Sequence, residues 1–224
     1  MEHRHGHGAG EPSAKQPRQP LLPPLYAIID PDALRDRSPL GVARAVLAGG
    51  GRLIQLRMKN RPSAEVLAVA EALRDLTSQG SATLVINDRV DIALAVGADA
   101  VHLGADDLPV EVARRLLGPR VLIGRSTHSL EEAITAASAG ADYIGFGPIF
   151  PTSTKVLTDA PQGLDRLRRV RSRISIPIVA IGGITEETAP AVRAAGADAT
   201  AMIGEIARAS EVTEKVRRLV AALG

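Results

Sequence analysis

The chain alternates short, continuously apolar runs with longer stretches in which apolar residues recur at helical spacing. In residues 64–77, for example, Val66, Ala70 and Leu73 follow one another at intervals of three or four, which is typical of an amphipathic helix. Continuous apolar runs are typical of parallel strands that are covered on both faces. The pattern predicts strands over residues 25–29, 53–56, 83–86, 100–103, 121–123, 143–146, 178–180 and 199–202.

A short repeat supports this alternation of helices and strands. Gly-Ala-Asp occurs at 97–99, 140–142 and 196–198, each time after an Ala-rich helical run and before a predicted strand. Glycine just past a helix end can adopt the left-handed conformation that stops the helix. Repeated strand–helix units of this kind predict an α/β fold, a single-domain (β/α)₈ TIM barrel over residues 24–224. A doubly wound open sheet is the alternative, but no Gly-x-Gly-x-x-Gly follows a predicted strand.

Composition narrows the function classes. Hydrophobic residues make up 45% of the 224-residue chain, which excludes wholesale disorder. The net charge of +2 comes from interspersed charges, and aromatic residues are scarce, so nothing favours a nucleic-acid partner. The Arg-rich run at 166–173 is interpreted as a solvated helix face. The absence of cysteine excludes disulfides, thiolate metal sites and a cysteine nucleophile.

The sequence also bears on location. No stretch is long and apolar enough to suggest a membrane span, and the N-terminus lacks the apolar core of a signal peptide. Residues 1–23 are rich in His, Gly and Pro and are predicted to form a disordered tail. We expect a cytoplasmic protein without a membrane partner.

In a barrel the chemistry lies at the carboxyl ends of the strands, which makes the strand ends candidate sites. Gln55, Arg57 and Lys59 follow the second strand on one side of the chain and suggest an anion site. Asp88 and Asp107 follow the third and fourth strands and could share a hard cation such as Mg²⁺. For the residues after the second strand, the alternative is a solvated loop, and for the two aspartates it is helix N-capping. Spacing alone does not decide whether Asp106 or Asp107 would bind the cation.

The later strand ends suggest phosphate binding. A hydroxyl pair and His128 follow the fifth strand, and a long loop after the sixth carries Thr152, Thr154 and Lys155. Glycines at 182, 183 and 204 follow the last two strands, where barrels commonly bind a phosphate through backbone N–H groups. Together these residues suggest two phosphorylated groups at one end of the barrel.

These motifs resemble the thiamine phosphate synthase family over about residues 25–207. The resemblance rests on Gln-Leu-Arg-Met-Lys at 55–59, Ile-Asn-Asp-Arg-Val-Asp at 86–91, Val-His-Leu-Gly at 101–104 with Asp107, Ser-Thr-His at 126–128, Gly-Pro-Ile-Phe-Pro-Thr-Ser-Thr-Lys at 147–155 and Ala-Ile-Gly-Gly-Ile at 180–184. It implies a TIM-barrel transferase of thiamine biosynthesis that acts on two small molecules. These are 4-amino-5-hydroxymethyl-2-methylpyrimidine pyrophosphate and 4-methyl-5-(2-phosphoethyl)thiazole, and the products are thiamine phosphate and pyrophosphate.

The resemblance also implies residue roles. Asp88 and Asp107 would bind Mg²⁺, and pyrophosphate would leave before the thiazole nitrogen attacks the pyrimidine carbon. Lys59, Ser126 and Lys155 would be catalytic. The implied substrate-binding residues are Gln55, Arg57, Lys59, Asn87, Ser126, Thr152, Thr154, Lys155, Gly183, Ile203 and Gly204.

Two positions depart from the family pattern. Ala105 stands where the family usually has Gln, and Gly204 stands where it usually has Ser. The alternatives to a synthase are a related thiazole tautomerase that uses His128 and a non-catalytic sensor of thiamine phosphate. The oligomeric state is open, and a homo-oligomer is compatible with the sequence.

Overall fold

A computed structural model describes residues 22–152 and 160–224. Eight parallel strands pair in chain order, and the first pairs with the last to close a barrel. The closed barrel confirms the predicted TIM fold, and the open-sheet alternative is wrong. The strands are β1 (Leu25–Ile29), β2 (Leu53–Leu56), β3 (Thr83–Asn87), β4 (Ala100–Leu103), β5 (Leu122–Thr127), β6 (Tyr143–Phe146), β7 (Ile178–Ile181) and β8 (Ala199–Met202).

Helices follow the strands and cover the outside of the barrel. Their amphipathic faces supply the apolar residues that pack against the strands. The helices are α1 (Pro31–Leu34), α2 (Pro39–Ala48), α3 (Ser63–Gln79), α4 (Val90–Ala95), α5 (Val110–Leu117), α6 (Leu130–Ser138), α7 (Gly163–Arg171), α8 (Ala189–Ala194), α9 (Gly204–Ala207) and α10 (Val212–Leu223). Among the described residues, no helix combines the length and the apolar character needed to cross a membrane.

Alternation along each strand divides the buried residues into two cores. In β1, Leu25, Ala27 and Ile29 belong to the outer core between the strands and the helices. Tyr26 and Ile28 belong to the smaller inner core. Strand residues are therefore buried on both faces, which explains why the strands read as continuous apolar runs in the sequence.

Strand β5 is longer than predicted. The prediction ended it at residue 123, whereas the structure continues it to Thr127. Ser126 pairs with Gly145 of β6 and Thr127 with Phe146, so both hydroxyl residues lie on a strand and not in the loop after it. Gly124 and the polar residues that follow it hid the strand, because they lack the apolar character on which the prediction relied.

The three Gly-Ala-Asp joints adopt the predicted conformation. Gly97, Gly140 and Gly196 have φ values of 61°, 86° and 108°, in the left-handed region. The aspartate of each joint has a role that the sequence did not reveal. Asp198, which directly precedes β8, accepts a hydrogen bond from the backbone N–H of Ile178, the first residue of β7, at 2.8 Å.

Each of these aspartates also pairs with an arginine of a preceding helix. Arg171 donates to Asp198 at 2.9 Å, and Arg74 donates to Asp99 at 2.8 Å. We call the three couples the Asp–Arg pairs: Arg74–Asp99, Arg114–Asp142 and Arg171–Asp198. They join helix, strand and joint at the amino-terminal end of the barrel.

The Arg-rich run of α7 is therefore not wholly a solvated face. Arg171 is about three-quarters buried and also donates to the carbonyl oxygens of Ile174 and Ile176. Its prediction as a solvated residue is wrong, because its position at the end of α7 turns it toward the following joint. Arg168, which is exposed and pairs with Asp165, fits the prediction.

Candidate active site

A cavity of about 280 Å³ opens at the carboxyl end of the barrel. The strand ends surround it, as the position of active sites in this fold leads one to expect. The predicted site residues that line it are Gln55, Arg57, Asn87, Ser126, Thr152, Gly183, Ile203 and Gly204. Thr154 and Lys155 lie outside the described residues, as does nearly all of the tail predicted over residues 1–23.

A chain of hydrogen bonds crosses the floor of the cavity. Gln55 Nε2 donates to the hydroxyl of Tyr26 at 2.8 Å, and that hydroxyl lies 3.1 Å from the hydroxyl of Tyr143. His102 Nδ1 lies 3.2 Å from the Tyr143 hydroxyl, and His102 Nε2 lies 3.0 Å from Ser126 Oγ. This hydrogen-bond chain links Gln55 on one wall to Ser126 on the other.

Two glycines make room for these side chains. A Cβ on Gly124 would overlap the ring of Tyr143, and a Cβ on Gly145 would lie 3.0 Å from Cε1 of His102. Burial raises the pKa of Tyr26, and burial together with Tyr26 raises the pKa of Tyr143 well above its ordinary value. Both phenols therefore stay protonated at neutral pH and serve as hydrogen-bonding groups.

The Arg57 guanidinium is fixed by a buried carboxylate. Arg57 forms an ion pair with Asp30, the residue that follows β1. Asp30 also caps α1 by accepting a hydrogen bond from the backbone N–H of Asp32 at 3.1 Å. The sequence analysis did not single out Asp30, although its place between a strand and Pro31 is a recognisable helix-start signal. Arg57 is thus held in place at the cavity wall before any substrate binds.

Two aspartates converge beside the cavity, as predicted. An ideal Cβ on Gly104 would lie 3.0 Å from Asp107 Oδ2 and 4.0 Å from Asp88 Oδ1, so both carboxylates lie next to this glycine. The backbone N–H of Gly104 donates to Asp107 Oδ2 at 2.6 Å. Asp106 is exposed, and Asp107 is the one of the two that neighbours Asp88. We call Asp88 and Asp107 the acidic pair.

The acidic pair is electrostatically crowded. Burial raises the pKa of Asp107, and the neighbouring Asp88 raises it further. Asp88 has a φ of 63°, which non-glycine residues rarely adopt and which is often found at functional sites. Lys59 Nζ lies 3.0 Å from Asp88 Oδ2 and offsets part of the charge. A divalent cation would relieve the same repulsion.

The donor set limits what kind of metal site this is. Within residues 22–152 and 160–224, no group of three or more His, Cys, Asp or Glu side chains could hold a metal ion. Two carboxylates fit Mg²⁺, which commonly takes one or two protein carboxylates and completes its shell with water and phosphate oxygens. The pair therefore suits a cation that is shared with a phosphorylated substrate.

The loops after β6 and β7 pack closely on the far side of the cavity. Gly182 and Gly183 have φ values of 96° and 64°. A Cβ on Gly183 would overlap the carbonyl oxygen of Pro151, and one on Gly182 would lie 2.6 Å from Cβ of Pro148. Glycine is required at both positions, and it leaves the backbone accessible to a ligand.

His128 lies at the cavity mouth, where Glu132 holds it. The Glu132 carboxylate accepts a hydrogen bond from the His128 backbone N–H at 2.8 Å, and its Oε2 lies 3.2 Å from Nδ1 of the ring. Ser129 caps α6 by accepting a hydrogen bond from the N–H of Glu132 at 3.1 Å. His128 is thus tied to a helix start at the cavity edge, outside the hydrogen-bond chain on the floor.

Sequence comparison identifies the family to which this site belongs. Residues 25–206 match the sequence model of the thiamine monophosphate synthase family. The chain belongs to the thiamine monophosphate synthase family.

Individual members are similar over most of their length. The chain is 48% identical over 195 residues to the thiamine-phosphate synthase of Chloroflexus aurantiacus, covering 87% of this chain and 90% of the relative. The thiamine-phosphate synthase of Moorella thermoacetica is 45% identical over 195 residues, 87% of this chain and 93% of that relative. The solved structure of the thiamine phosphate pyrophosphorylase from Pyrococcus furiosus superposes with a TM-score of 0.79 at 41% identity, covering 90% of this chain and 98% of that one.

For this member of the thiamine monophosphate synthase family, the structure adds lining residues that the sequence analysis missed. Tyr26, His102 and Arg208 all line the cavity. The strand-end rule overlooked Tyr26 and His102 because they lie within strands and face inward. The period-2 alternation of β1 and β4 is the signal that could have found them.

Proposed function

We propose that the protein is a thiamine-phosphate synthase. It would join 4-amino-5-hydroxymethyl-2-methylpyrimidine pyrophosphate to 4-methyl-5-(2-phosphoethyl)thiazole and release pyrophosphate. The observation that carries the proposal is a cavity with Arg57 and Asn87 on one wall and glycine loops on the other, next to which Lys59 pairs with Asp88. The similarity to enzymes named thiamine-phosphate synthase over almost their full length supports it.

Arg57, Lys59 and Asn87 are proposed to bind the pyrophosphate group. Arg57 and Asn87 line the cavity, and Lys59 forms an ion pair with Asp88 beside it. When the carbon–oxygen bond breaks, negative charge grows on the leaving pyrophosphate. Cations that are already in place stabilise that charge more than the ground state and so lower the barrier. The catalytic role of Lys155 stays a prediction.

Asp88 and Asp107 are proposed to hold Mg²⁺ together with substrate oxygens. The crowding of the two carboxylates supports this assignment, because a bound cation would relieve the repulsion between them. The ion would neutralise charge on the pyrophosphate. Lys59, which pairs with Asp88, would hold that carboxylate in its orientation.

The floor of the cavity is proposed to position the pyrimidine ring. Gln55 and Ser126 are joined through Tyr26, Tyr143 and His102, so their polar atoms are held in a fixed relation. Ser126 would lie next to the reacting carbon. Preorganised groups of this kind speed a reaction by fixing the orientation of the reactants.

The opposite wall is proposed to bind the thiazole phosphate. Thr152, Gly183, Ile203 and Gly204 line this part of the cavity. Backbone N–H groups of glycine loops can approach a phosphate closely, because no Cβ blocks it. The thiazole nitrogen would then face the pyrimidine carbon from which pyrophosphate departs.

A product assay tests the proposal. Purified protein given both substrates and MgCl₂ is expected to form thiamine phosphate and pyrophosphate in equal amounts, and EDTA is expected to stop the reaction. Conversion between thiazole isomers in the presence of EDTA, without coupling to the pyrimidine, would instead favour a tautomerase that uses His128. Binding of thiamine phosphate without turnover would favour a sensor.

Two further proposals concern the location and the assembly of the protein. A chain without cysteine that uses phosphorylated small molecules fits a cytoplasmic enzyme. A homo-oligomer is a further proposal. Cell fractionation and analytical ultracentrifugation would test the two.

A further inference from the structure

An arginine lies directly over the glycine that departs from the family pattern. Arg208 follows α9, and its backbone N–H donates to the carbonyl oxygen of Gly204 at 2.9 Å. An ideal Cβ on Gly204 would lie 2.5 Å from Nη1 and 2.7 Å from Nη2 of Arg208. The guanidinium would therefore have to shift to admit a side chain at position 204.

Arg208 lines the active-site cavity. Arg208 shares the wall with Gly183, Ile203 and Gly204, the residues proposed to surround the thiazole phosphate. Its guanidinium lies against Gly204, in the part of the cavity where the other proposed contacts come from backbone groups and a hydroxyl. A cation at this position adds positive charge at the proposed phosphate position.

Arg208 differs from Arg57 and Lys59 in its lack of an ion-pair partner among the described residues. Arg57 pairs with Asp30, and Lys59 pairs with Asp88. In the part of the chain that the structure describes, no ion pair involves Arg208. The adjacent acid, Glu205, is held by Lys215 at 3.1 Å and does not neutralise it.

We propose that Arg208 binds the phosphate of the thiazole substrate, in the space that Gly204 leaves open. A guanidinium presents several donors in one plane and can bind two phosphate oxygens at once, which a single hydroxyl cannot do. Gly204 and Arg208 then act as one unit, because a side chain at 204 would displace the guanidinium. The inference rests on the proposed function and adds a determinant of selectivity for the phosphorylated thiazole.

Steady-state kinetics of Arg208→Ala, Arg208→Lys and a control provide the first test. Arg208→Ala is expected to raise the KM for the thiazole phosphate on the order of 10- to 100-fold, the loss typical of a charge-assisted contact. The KM for the pyrimidine pyrophosphate should stay within about twofold, and Arg208→Lys should fall in between. Arg217→Ala, which removes an exposed arginine paired with Glu214, is expected to change neither constant.

A double-mutant cycle tests the coupling between Arg208 and Gly204. Gly204→Ser is expected to weaken thiazole phosphate binding in the wild-type background, because the new side chain meets the guanidinium. In the Arg208→Ala background the same substitution is expected to strengthen binding, since a hydroxyl then enters an empty space. Equal effects in the two backgrounds would show that the two positions are independent and would overturn the inference.

Direct binding separates this inference from the proposed function. Calorimetry compares the thiazole phosphate with the corresponding unphosphorylated thiazole alcohol. The affinity gained from the phosphate should shrink in Arg208→Ala, even for a protein that forms no thiamine phosphate. Turnover by the wild type with an unchanged KM in Arg208→Ala would overturn the role of Arg208 and leave the synthase assignment standing. If the wild type showed no turnover but its phosphate binding depended on Arg208, the role of Arg208 would stand and the synthase assignment would be overturned.

Discussion

The two ends of the barrel differ in how fully their charged residues are paired. At the amino-terminal end, the Asp–Arg pairs match each aspartate with an arginine and a backbone N–H. At the carboxyl end, Asp88 and Asp107 lie side by side, and Arg208 has no ion-pair partner among the described residues. Charges that are satisfied within the protein stabilise it, whereas charges left unsatisfied are available to a ligand.

This contrast gives each end its own expected mutational signature. Substitutions among the Asp–Arg pairs should lower the free energy of unfolding and leave the rate per folded molecule intact. Substitutions in the acidic pair should lower the rate per folded molecule without lowering the free energy of unfolding. The following predictions test that division, from the largest expected effect to the smallest.

Asp107→Asn is expected to lower kcat/KM on the order of 1,000-fold, because charge on the leaving pyrophosphate loses its compensation. The metal-free variant should be at least as stable as the wild type, because the substitution removes a carboxylate that Asp88 and burial disfavour. Turnover assays and urea denaturation in EDTA measure the two effects. Asp106→Asn, at the exposed neighbouring position, is the control and should change neither. A near-normal rate in Asp107→Asn would refute the metal assignment.

Asp198→Ala is expected to lower the free energy of unfolding by about 2 kcal/mol, since the N–H of Ile178 and the guanidinium of Arg171 both lose their acceptor. Urea denaturation measures the loss. Asp165→Ala removes an exposed partner of Arg168 and should cost under about 0.5 kcal/mol. A fall in kcat/KM that exceeds twofold at full folding would show that the amino-terminal end also shapes the active site.

Tyr143→Phe is expected to lower kcat about 10-fold, because the hydrogen-bond chain from Gln55 to Ser126 loses its central hydroxyl. The ring that fills the space above Gly124 is kept, so the KM for the thiazole phosphate should stay within about twofold. Steady-state kinetics with each substrate varied in turn separates the two constants. An unchanged kcat would mean that His102 and Ser126 keep their positions without Tyr143.

Glu186→Gln tests a group of paired charges at the carboxyl end. Hydrogen bonds from Lys215 and then Arg218 lower the pKa of Glu186, so its stabilising effect is present above the ordinary glutamate pKa and is lost as the pH falls through the lowered value. The variant should lose about 0.5 kcal/mol at pH 7, and the difference should vanish at an acid pH below the lowered pKa of Glu186. Urea denaturation at both pH values measures this, with Glu131→Gln as an exposed control. A difference that persists in acid would contradict the ion-pair explanation.

The strands of the barrel could be predicted from the sequence because both of their faces are buried. A continuous apolar run such as residues 25–29 is visible without knowledge of its partners. The end of β5 could not be predicted, because Ser126 and Thr127 are strand residues by virtue of their pairing with Gly145 and Phe146. Pairing of this kind depends on neighbours that are distant in the chain.

The candidate site shows a similar division. The convergence of Asp88 and Asp107 followed from the strand-end rule, since neighbouring parallel strands bring their carboxyl ends together. The contact between Arg208 and Gly204 could not be predicted, because it depends on how one turn of chain folds back over a glycine. His102 lay within a motif of the family resemblance, yet its place between Tyr143 and Ser126 emerged only in three dimensions.

The pairing of β1 with β8 has a consequence for how the protein acquires its structure during synthesis. Tyr26 pairs with Ala201 and Ala27 with Met202, so the ring of strands closes across nearly the whole length of the barrel sequence. Until β8 has left the ribosome, β1 and β7 each present an unpaired edge to other chains. Contacts this distant form slowly. A nascent chain stalled before β8 is therefore expected to depend on chaperones, which shield such edges from aggregation.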